Sequence, residues 1–323
     1  MKAAVLRSAG STPVYADFPD PDIGDGEVFV KGRASSIKRI DRGIASGQHY
    51  LKHETFPLVV GVDGIGELAD GQRVYFGGVR APYGAMAEAA PARQGFLIPL
   101  EVDIDDTLAA ALPNAAMSSW LPLQWHAKLQ PGETVLILGA TGSSGQLALQ
   151  VAKHLGADRI VVAGRNRTAL DALLGAGADA AISLTGEDDE VIEAFREAGG
   201  DAGYDVVLDY LWAKPLELFG ASLMAGKVDY TRKQTRLVQV GNMAGPDATV
   251  PANLLRSTGL RLMGSGAGSV DPREILRMIP EVWKLAAAGT LTMAIEEVPL
   301  ADIETAWQRG DRDGRRQVVR ISG

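Results

Sequence analysis

The chain is predicted to be an α/β protein of two domains, one mostly β and one built on a doubly wound parallel sheet. Three observations lead there. Residues 1 to about 113 hold short β-like runs closely punctuated by Gly and Pro. From Glu133 onward, apolar runs alternate with helical text, the mark of βαβ units. At 323 residues the chain is long for one hydrophobic core, so division into two domains is natural.

In the first part, Val28-Phe29-Val30-Lys31, Leu58-Val59-Val60 and Arg73-Val74-Tyr75-Phe76 read as strands, and Asp105 to Leu112 as an Ala-rich helix. Thr134-Val135-Leu136-Ile137-Leu138 is a continuous apolar run, as expected of a parallel strand covered on both faces. A Gly-rich turn and a helix over Leu147–Lys153 follow, then strand Arg159–Ala163. Helix Ala169–Leu174, strand Ala180–Ser183, helix Val191–Ala198 and strands Asp205–Leu208 and Arg236–Val240 continue the alternation. Beyond about residue 260 the pattern is mixed. Asp271-Pro272-Arg273-Glu274 opens a helix with a cap, a first-turn Pro and a capping-box Glu. Gly289 ends that helix, and Gln317–Ile321 is a strand. The expected domains are 1–114 with 262–323, and 115–261.

Composition excludes several classes. A net charge of −8 opposes nucleic acid and anionic membrane. No apolar run reaches the about 18 residues of a membrane span. Met1–Leu6 reads as a first strand rather than a signal peptide, and a cytoplasmic location is expected. Cysteine is absent, which removes disulfides, Cys-based zinc sites and Cys nucleophiles. The four His (His49, His53, His126 and His154) read as dispersed, and no metal is expected.

The chemistry-bearing motif is Gly139-Ala140-Thr141-Gly142-Ser143-Ser144-Gly145, set between a strand and a helix. Read as Gly-x-Gly-x-x-Gly, it has Ala140 in the first Gly place, with Gly142 and Gly145 in the other two. Gly142 lets backbone approach a pyrophosphate, and Gly145 lets the helix pack on the strand. The helix N-terminus supplies donors and a positive dipole end, to which Thr141, Ser143 and Ser144 add polar groups. The alternative is a Gly-rich turn without a ligand, but the flanking elements favour a dinucleotide.

An NAD site usually carries Asp or Glu at the end of the second strand, about 20 residues on. Here the text is Ala163-Gly164-Arg165-Asn166-Arg167. A guanidinium fork matches a phosphate, so NADP(H) is the expected cofactor, with solvated surface arginines as the bland reading. At later strand ends, Asp209-Tyr210, Gly241-Asn242 and Gly264-Ser265 are candidate cofactor contacts, because open α/β sheets bind ligands at strand carboxyl ends.

The whole order of motifs resembles the medium-chain dehydrogenase/reductase superfamily and its zinc-free quinone oxidoreductase group. The resemblance runs through Met1-Lys2-Ala3-Ala4-Val5, Asp41-Arg42-Gly43, Phe56 to Gly66, Gly71-Gln72-Arg73-Val74, Tyr83 to Glu88 and Leu129-Gln130-Pro131-Gly132-Glu133. It implies a GroES-like, mostly β catalytic domain made from both chain ends, a central Rossmann domain, a homodimer, and a small-molecule quinone or enone substrate. Where zinc-dependent members keep their ligands, this chain carries Lys38, Val62 and Asn114, so the resemblance implies a zinc-free site.

A quinone or α,β-unsaturated carbonyl gains negative charge on oxygen as hydride arrives, and a nearby donor lowers that barrier. Lys38 is the leading electrophile candidate, with Asp41 or Asp63 to orient it, and Asn114, Ser118 and Tyr50 as donors. Lys38 can instead be a surface lysine in Lys38-Arg39, and Asp63 a turn residue holding backbone N–H groups. Trp120, Trp125, Trp212, Trp283 and Trp307 read as core or interface anchors, with Trp212 alternatively beside the cleft. Arg312, Arg315 and Arg316 read as a solvated turn. The expected function is an NADPH-dependent reductase. The alternatives are a carbonyl or enoyl-thioester reductase, and an NADPH-binding sensor or structural protein without turnover.

Overall fold

The computed structural model describes residues 1–225, 233–266, 268–311 and 314–321. The chain divides into two compact units, Met1–Asn114 with Leu276–Gly323, and Ala115–Ile275.

The first unit is mostly β. Its strands are β1 (Lys2–Leu6), β2 (Val14–Asp17), β3 (Glu27–Ser36), β4 (Leu58–Val59), β5 (Asp63–Glu67), β6 (Arg73–Gly77), β7 (Ala89–Arg93) and β8 (Leu97–Pro99). Helix α1 (Arg39–Ala45) separates β3 from β4, and α2 (Asp106–Leu121) follows β8. A three-stranded sheet runs β2-β1-β4, and β3, β5, β6 and β8 continue a second sheet with β7 paired to β3. Ala4, Leu6, Ile37, Leu58 and Met86 form one core, and Val30, Val74, Phe76 and Ala90 another. Helix α2 is longer than the sequence suggested, because Ala-rich text carries it past Pro113.

The second unit alternates strand and helix: β9 (Thr134–Leu138), α3 (Ser143–His154), β10 (Arg159–Gly164), α4 (Arg167–Gly175), β11 (Ala180–Ser183), α5 (Asp188–Gly199), β12 (Val206–Asp209), α6 (Ala213–Met224), β13 (Arg236–Gln239), α7 (Ala252–Thr258) and β14 (Arg261–Gly264). The sheet order is β11-β10-β9-β12-β13-β14, all pairs parallel. Order reverses between β9 and β12, which opens a crevice at their carboxyl ends. Leu136, Leu138, Val161, Val207, Phe195, Phe219 and Leu237 are buried between sheet and helices. Continuous apolar strands are therefore required, as the sequence shows.

Residues 262–275, expected with the β unit, go with the parallel sheet, because β14 pairs with β13 in register Arg236↔Arg261 to Gln239↔Gly264. The chain then returns to the first unit through α8 (Pro272–Ala287), β15 (Ile295–Pro299), α9 (Ile303–Arg309) and β16 (Arg316–Arg320). Strand β16 pairs antiparallel with β3 and parallel with β15. This β16 pairing corrects the reading of the terminal arginines. Arg316 is buried in β16, only Arg315 is exposed, and Arg312 lies outside the described residues. Among the described residues no helix is long and apolar enough to cross a membrane.

A Cβ on Gly145 would lie 2.5 Å from both Ala140 Cα and Gly139 O. Those are backbone atoms that cannot swing aside, so Gly145→Ala should lower unfolding free energy by about 1–3 kcal/mol. Urea unfolding measures this, and an unchanged midpoint would mean that α3 can lift from β9.

Candidate functional site

In the parallel unit the candidate cofactor residues gather at one edge of the sheet. β9 ends in the glycine turn, where Gly139 and Ala140 both donate to Ala163 O, at 2.9 and 3.0 Å. Gly142, extended at φ −81 and ψ 164, caps α3, and a Cβ there would meet only Gly139 O at 3.9 Å. The backbone is thus open to an approaching ligand at the positive end of the α3 dipole, beside Ser143 and Ser144. Thr141 packs on Gly164, where a Cβ would lie 2.6 Å from Thr141 Cγ2. A side chain at the last residue of β10 would therefore displace the Thr141 side chain of the glycine turn.

Beyond β10, Arg165, Asn166 and Arg167 are all exposed, but their side chains do different things. Asn166 Oδ1 accepts from Ala169 N at 3.1 Å and caps α4. Its side-chain oxygen is therefore committed to the helix cap. Arg167 Nε lies 3.2 Å from Asp171 Oδ1 one turn along α4. Arg165 takes part in no hydrogen bond or ion pair among the described residues. Its guanidinium is the charge left over for an anion.

The next two candidates are corrected. Asp209 is fully buried and does not face a ligand. Its Oδ1 accepts from Leu211 N at 2.8 Å and Trp212 N at 2.9 Å. Its buried Oδ2 has no hydrogen-bond partner among the described residues. Burial outweighs the two N–H donors and pushes this carboxyl up to about 6. Tyr210 is buried too, its hydroxyl donating to Ser118 O at 2.6 Å, so the phenol is spent inside the fold.

Further along the edge, Gly241 donates to Asp209 O at 3.1 Å, and Ser265 donates to Gln239 O at 2.8 Å. Asn242 and Gly264 line a cavity of about 420 Å³ with Trp212, Gln239, Pro246 and Met263. Sequence reasoning does not single out Gln239 or Met263. It leaves Trp212 between core and cleft, and the structure puts it on the cavity wall. Its backbone, at φ 61 and ψ −159, occupies a region essentially reserved for glycine and costs about 1–3 kcal/mol. No sequence signal announces this, because a tryptophan argues against that conformation.

In the β unit, Lys38, Asp41 and Asp63 come together in the interior. Lys38 Nζ donates to Ser36 O at 2.9 Å and Asp63 Oδ1 at 3.0 Å, and lies 3.3 Å from Asp41 Oδ2. Two of the three ammonium donors are used in hydrogen bonds, and the Asp41 carboxylate pairs with the same charge. Asp41, in the first turn of α1, accepts from Lys38 N at 2.8 Å and Val62 N at 2.9 Å. It thereby ties the start of α1 to the entry of β5. Burial pulls the ammonium down, but Asp41 and Asp63 outweigh it and hold it above the usual lysine value. Burial raises Asp63 more than Lys38 lowers it, and burial together with the Asp63 carboxylate lifts the Tyr75 phenol.

Lys38 is therefore neither a surface lysine nor an electrophile presented to a substrate. Its charge is consumed within the fold, and Asp63 is its partner rather than a turn residue alone. The other two catalytic candidates do not join them. Asn114 is half-buried on α2 and makes no hydrogen bond to the cluster among the described residues. Tyr50 is 71% exposed, its ring 4.1 Å from that of His49. His49 and His53 do stand at a His-x-x-x-His spacing, contrary to the reading of dispersed histidines, but they fall outside any helix, so no shared face brings them together. Among the described residues no group of three or more His, Asp or Glu is placed to hold a metal.

The family described as zinc-binding dehydrogenase matches residues 145–287. A probable NADPH-dependent quinone reductase of Emericella nidulans is 27% identical, over 99% of this chain and 99% of its own. An acrylyl-CoA reductase of Ruegeria pomeroyi is 29% identical, over 75% of this chain and 74% of its own. Among solved structures, the quinone oxidoreductase of Thermus thermophilus, described with its NADPH complex, superposes with a TM-score of 0.80. It is 26% identical and covers 99% of this chain and 100% of its own.

Two outcomes follow from the buried charges. Lys38→Met leaves two buried carboxylates without their cation and should lower unfolding free energy by about 3–5 kcal/mol. A loss below about 1 kcal/mol would show that the carboxylates are hydrated. For Asp209 the folded value lies above the unfolded 3.8. The stability it contributes is therefore present below pH ~4 and lost as pH rises through ~6, about 3 kcal/mol in all. Asp209→Asn removes that dependence, so the variant should gain on the wild type between pH ~4.5 and pH ~7.5 in urea unfolding. A difference independent of pH would refute the assignment.

Proposed function

We propose that this chain, which belongs to the medium-chain dehydrogenase/reductase superfamily in its quinone-oxidoreductase-like group, reduces a quinone or an α,β-unsaturated carbonyl with hydride from NADPH. One observation carries the choice of cofactor. Arg165 stands uncommitted at the carboxyl end of β10, next to a glycine turn whose backbone is open at Gly142. A guanidinium there matches a 2′-phosphate, and the absence of Asp or Glu from Ala163–Arg167 removes both the usual ribose partner and a repulsive charge.

Bound NADPH supplies the hydride, and a proton completes reduction of the acceptor. The chain's own part is to bind and orient. Gly142 and the start of α3 hold the diphosphate, and Arg165 holds the extra phosphate. At the strand ends, Asn242 offers its amide and Gly264 an uncrowded backbone on the cavity wall to the far end of the dinucleotide, with Gly241 and Ser265 beside them. These groups are small or polar, so they can approach a planar ring closely and fix its position.

The reaction is proposed to run without zinc. Cysteine is absent, Lys38 and Val62 stand where zinc-dependent relatives keep ligands, and Asp41 and Asp63 are already paired with the Lys38 ammonium. A second reading, in which the acceptor is an enoyl thioester, is supported by the likeness to an acrylyl-CoA reductase.

Oxidation of NADPH by the purified protein, followed with naphthoquinones, phenanthrenequinone, simple enones and an enoyl-CoA, separates these readings. Turnover with quinones or enones supports the first, and turnover with the thioester alone supports the second. Tight NADPH binding without turnover on any acceptor would make the protein a sensor and sink both. Arg165→Ala should weaken NADPH about tenfold or more while changing NADH less than about twofold. Equal losses for both dinucleotides would remove Arg165 from the 2′-phosphate.

A further inference from the structure

The turn after β12 is unusual in its backbone and in what holds it. Trp212 sits at φ 61 and ψ −159, and Ala213 follows at φ 47. Two consecutive residues with side chains thus occupy conformations that glycine favours. Nothing in their own chemistry prefers this. The restraint is Asp209, whose single oxygen Oδ1 receives both the Leu211 and Trp212 N–H groups.

The held turn is in contact with the candidate dinucleotide cradle. Leu211 presses on Gly139, where a Cβ would lie 3.0 Å from Leu211 Cδ2. The 242–245 loop closes over the same turn. Met243 donates to Tyr210 O at 3.2 Å, Ala244 donates to Leu211 O at 2.8 Å, and a Cβ on Gly245 would meet Ala213 Cβ at 3.0 Å. On its other side the turn presents Trp212 to the cavity shared with Asn242 and Gly264.

We infer that Asp209 is a positioning residue for the dinucleotide: its buried carboxylate latches Leu211–Trp212–Ala213 into a strained turn that seats Leu211 on the glycine turn and Trp212 on the cavity wall. The inference rests on the nucleotide reading above. Asp209 touches no ligand; it acts through the two residues whose N–H groups it holds. Strain kept next to a binding edge implies that the surrounding contacts over-determine the turn, and the bond pair to Oδ1 is the strongest of them, being charge-assisted.

The test is a thermodynamic cycle on the full chain, read by calorimetric titration with NADPH under conditions where circular dichroism shows each variant folded. Asp209→Ala in the native background should weaken NADPH about tenfold or more. Asp209→Asn should stay within about threefold, because the amide oxygen still accepts both N–H groups. In a background carrying Trp212→Gly and Ala213→Gly, where the turn needs no latch, Asp209→Ala should change affinity less than about twofold. The same loss in both backgrounds, or no loss in the native one, overturns the inference. Should Asp209→Ala not fold alone, the triple variant must fold, and its failure also overturns the inference.

Failure of the nucleotide reading is seen separately, as no heat with NADPH from the unsubstituted protein. Amide exchange at Leu211 and Trp212 in ligand-free protein still reads the latch in that case. Exchange should be faster in Asp209→Ala than in wild type and little changed in Asp209→Asn; equal protection in all three overturns the latch.

Discussion

The approach of α3 to the end of β9 is the contact on which the parallel unit depends. Gly145 lies so near the Ala140 backbone that no side chain fits between them, and Gly164 lies against the Thr141 side chain. These approaches bring the α3 N-terminus, with its positive dipole end, to the strand edge where the sheet order reverses. Every other candidate cofactor group is placed by its relation to that edge. The strands β10, β12, β13 and β14 end there because they run parallel to β9 in register.

Burial sets three arrangements of charge apart in the chain. On the exposed edge Arg165 keeps its charge uncommitted. In the β unit, Lys38 is paired with both Asp41 and Asp63 away from water. A buried ion cluster of this sort gives little net stability over an apolar core but is strongly disfavoured when one member is lost. Its effect is geometric: Asp41 joins the N-terminus of α1 to Val62, and Lys38 joins β3 to the first residue of β5. Asp209 is a third case, a lone buried carboxylate stabilised only by backbone donors. Its high proton affinity reflects burial, which the two backbone donors do not offset.

Much of the site is legible in the sequence because its signals are local. The glycine turn with its flanking strand and helix, and the two arginines after the next strand, need only spacing to be read. The two arginines then separate, since Arg167 has Asp171 one turn ahead on α4 and Arg165 has no such neighbour. Lys38 escapes a correct reading for the opposite reason. Whether a lysine near two aspartates faces a cleft or the interior depends on β3, α1 and β5 meeting, and those segments are separated by as many as 25 residues. Arg316 escapes likewise, because a charge run looks solvated until β16 is seen paired between β3 and β15.

The sequence alone determined the fold class, the order of the parallel strands' helices and turns, and the place of the glycine turn, since hydrophobic period and glycine spacing are properties of short segments. Only the tertiary structure decided which polar groups are left over. It sealed Asp209 and Tyr210, assigned Asn166 to a helix cap, drew β14 into the parallel sheet, and forced Trp212 into a glycine-like backbone. Each of these outcomes is set by the packing of whole elements against one another. A side chain's availability is what remains after its partners have been satisfied, and local sequence carries no record of it.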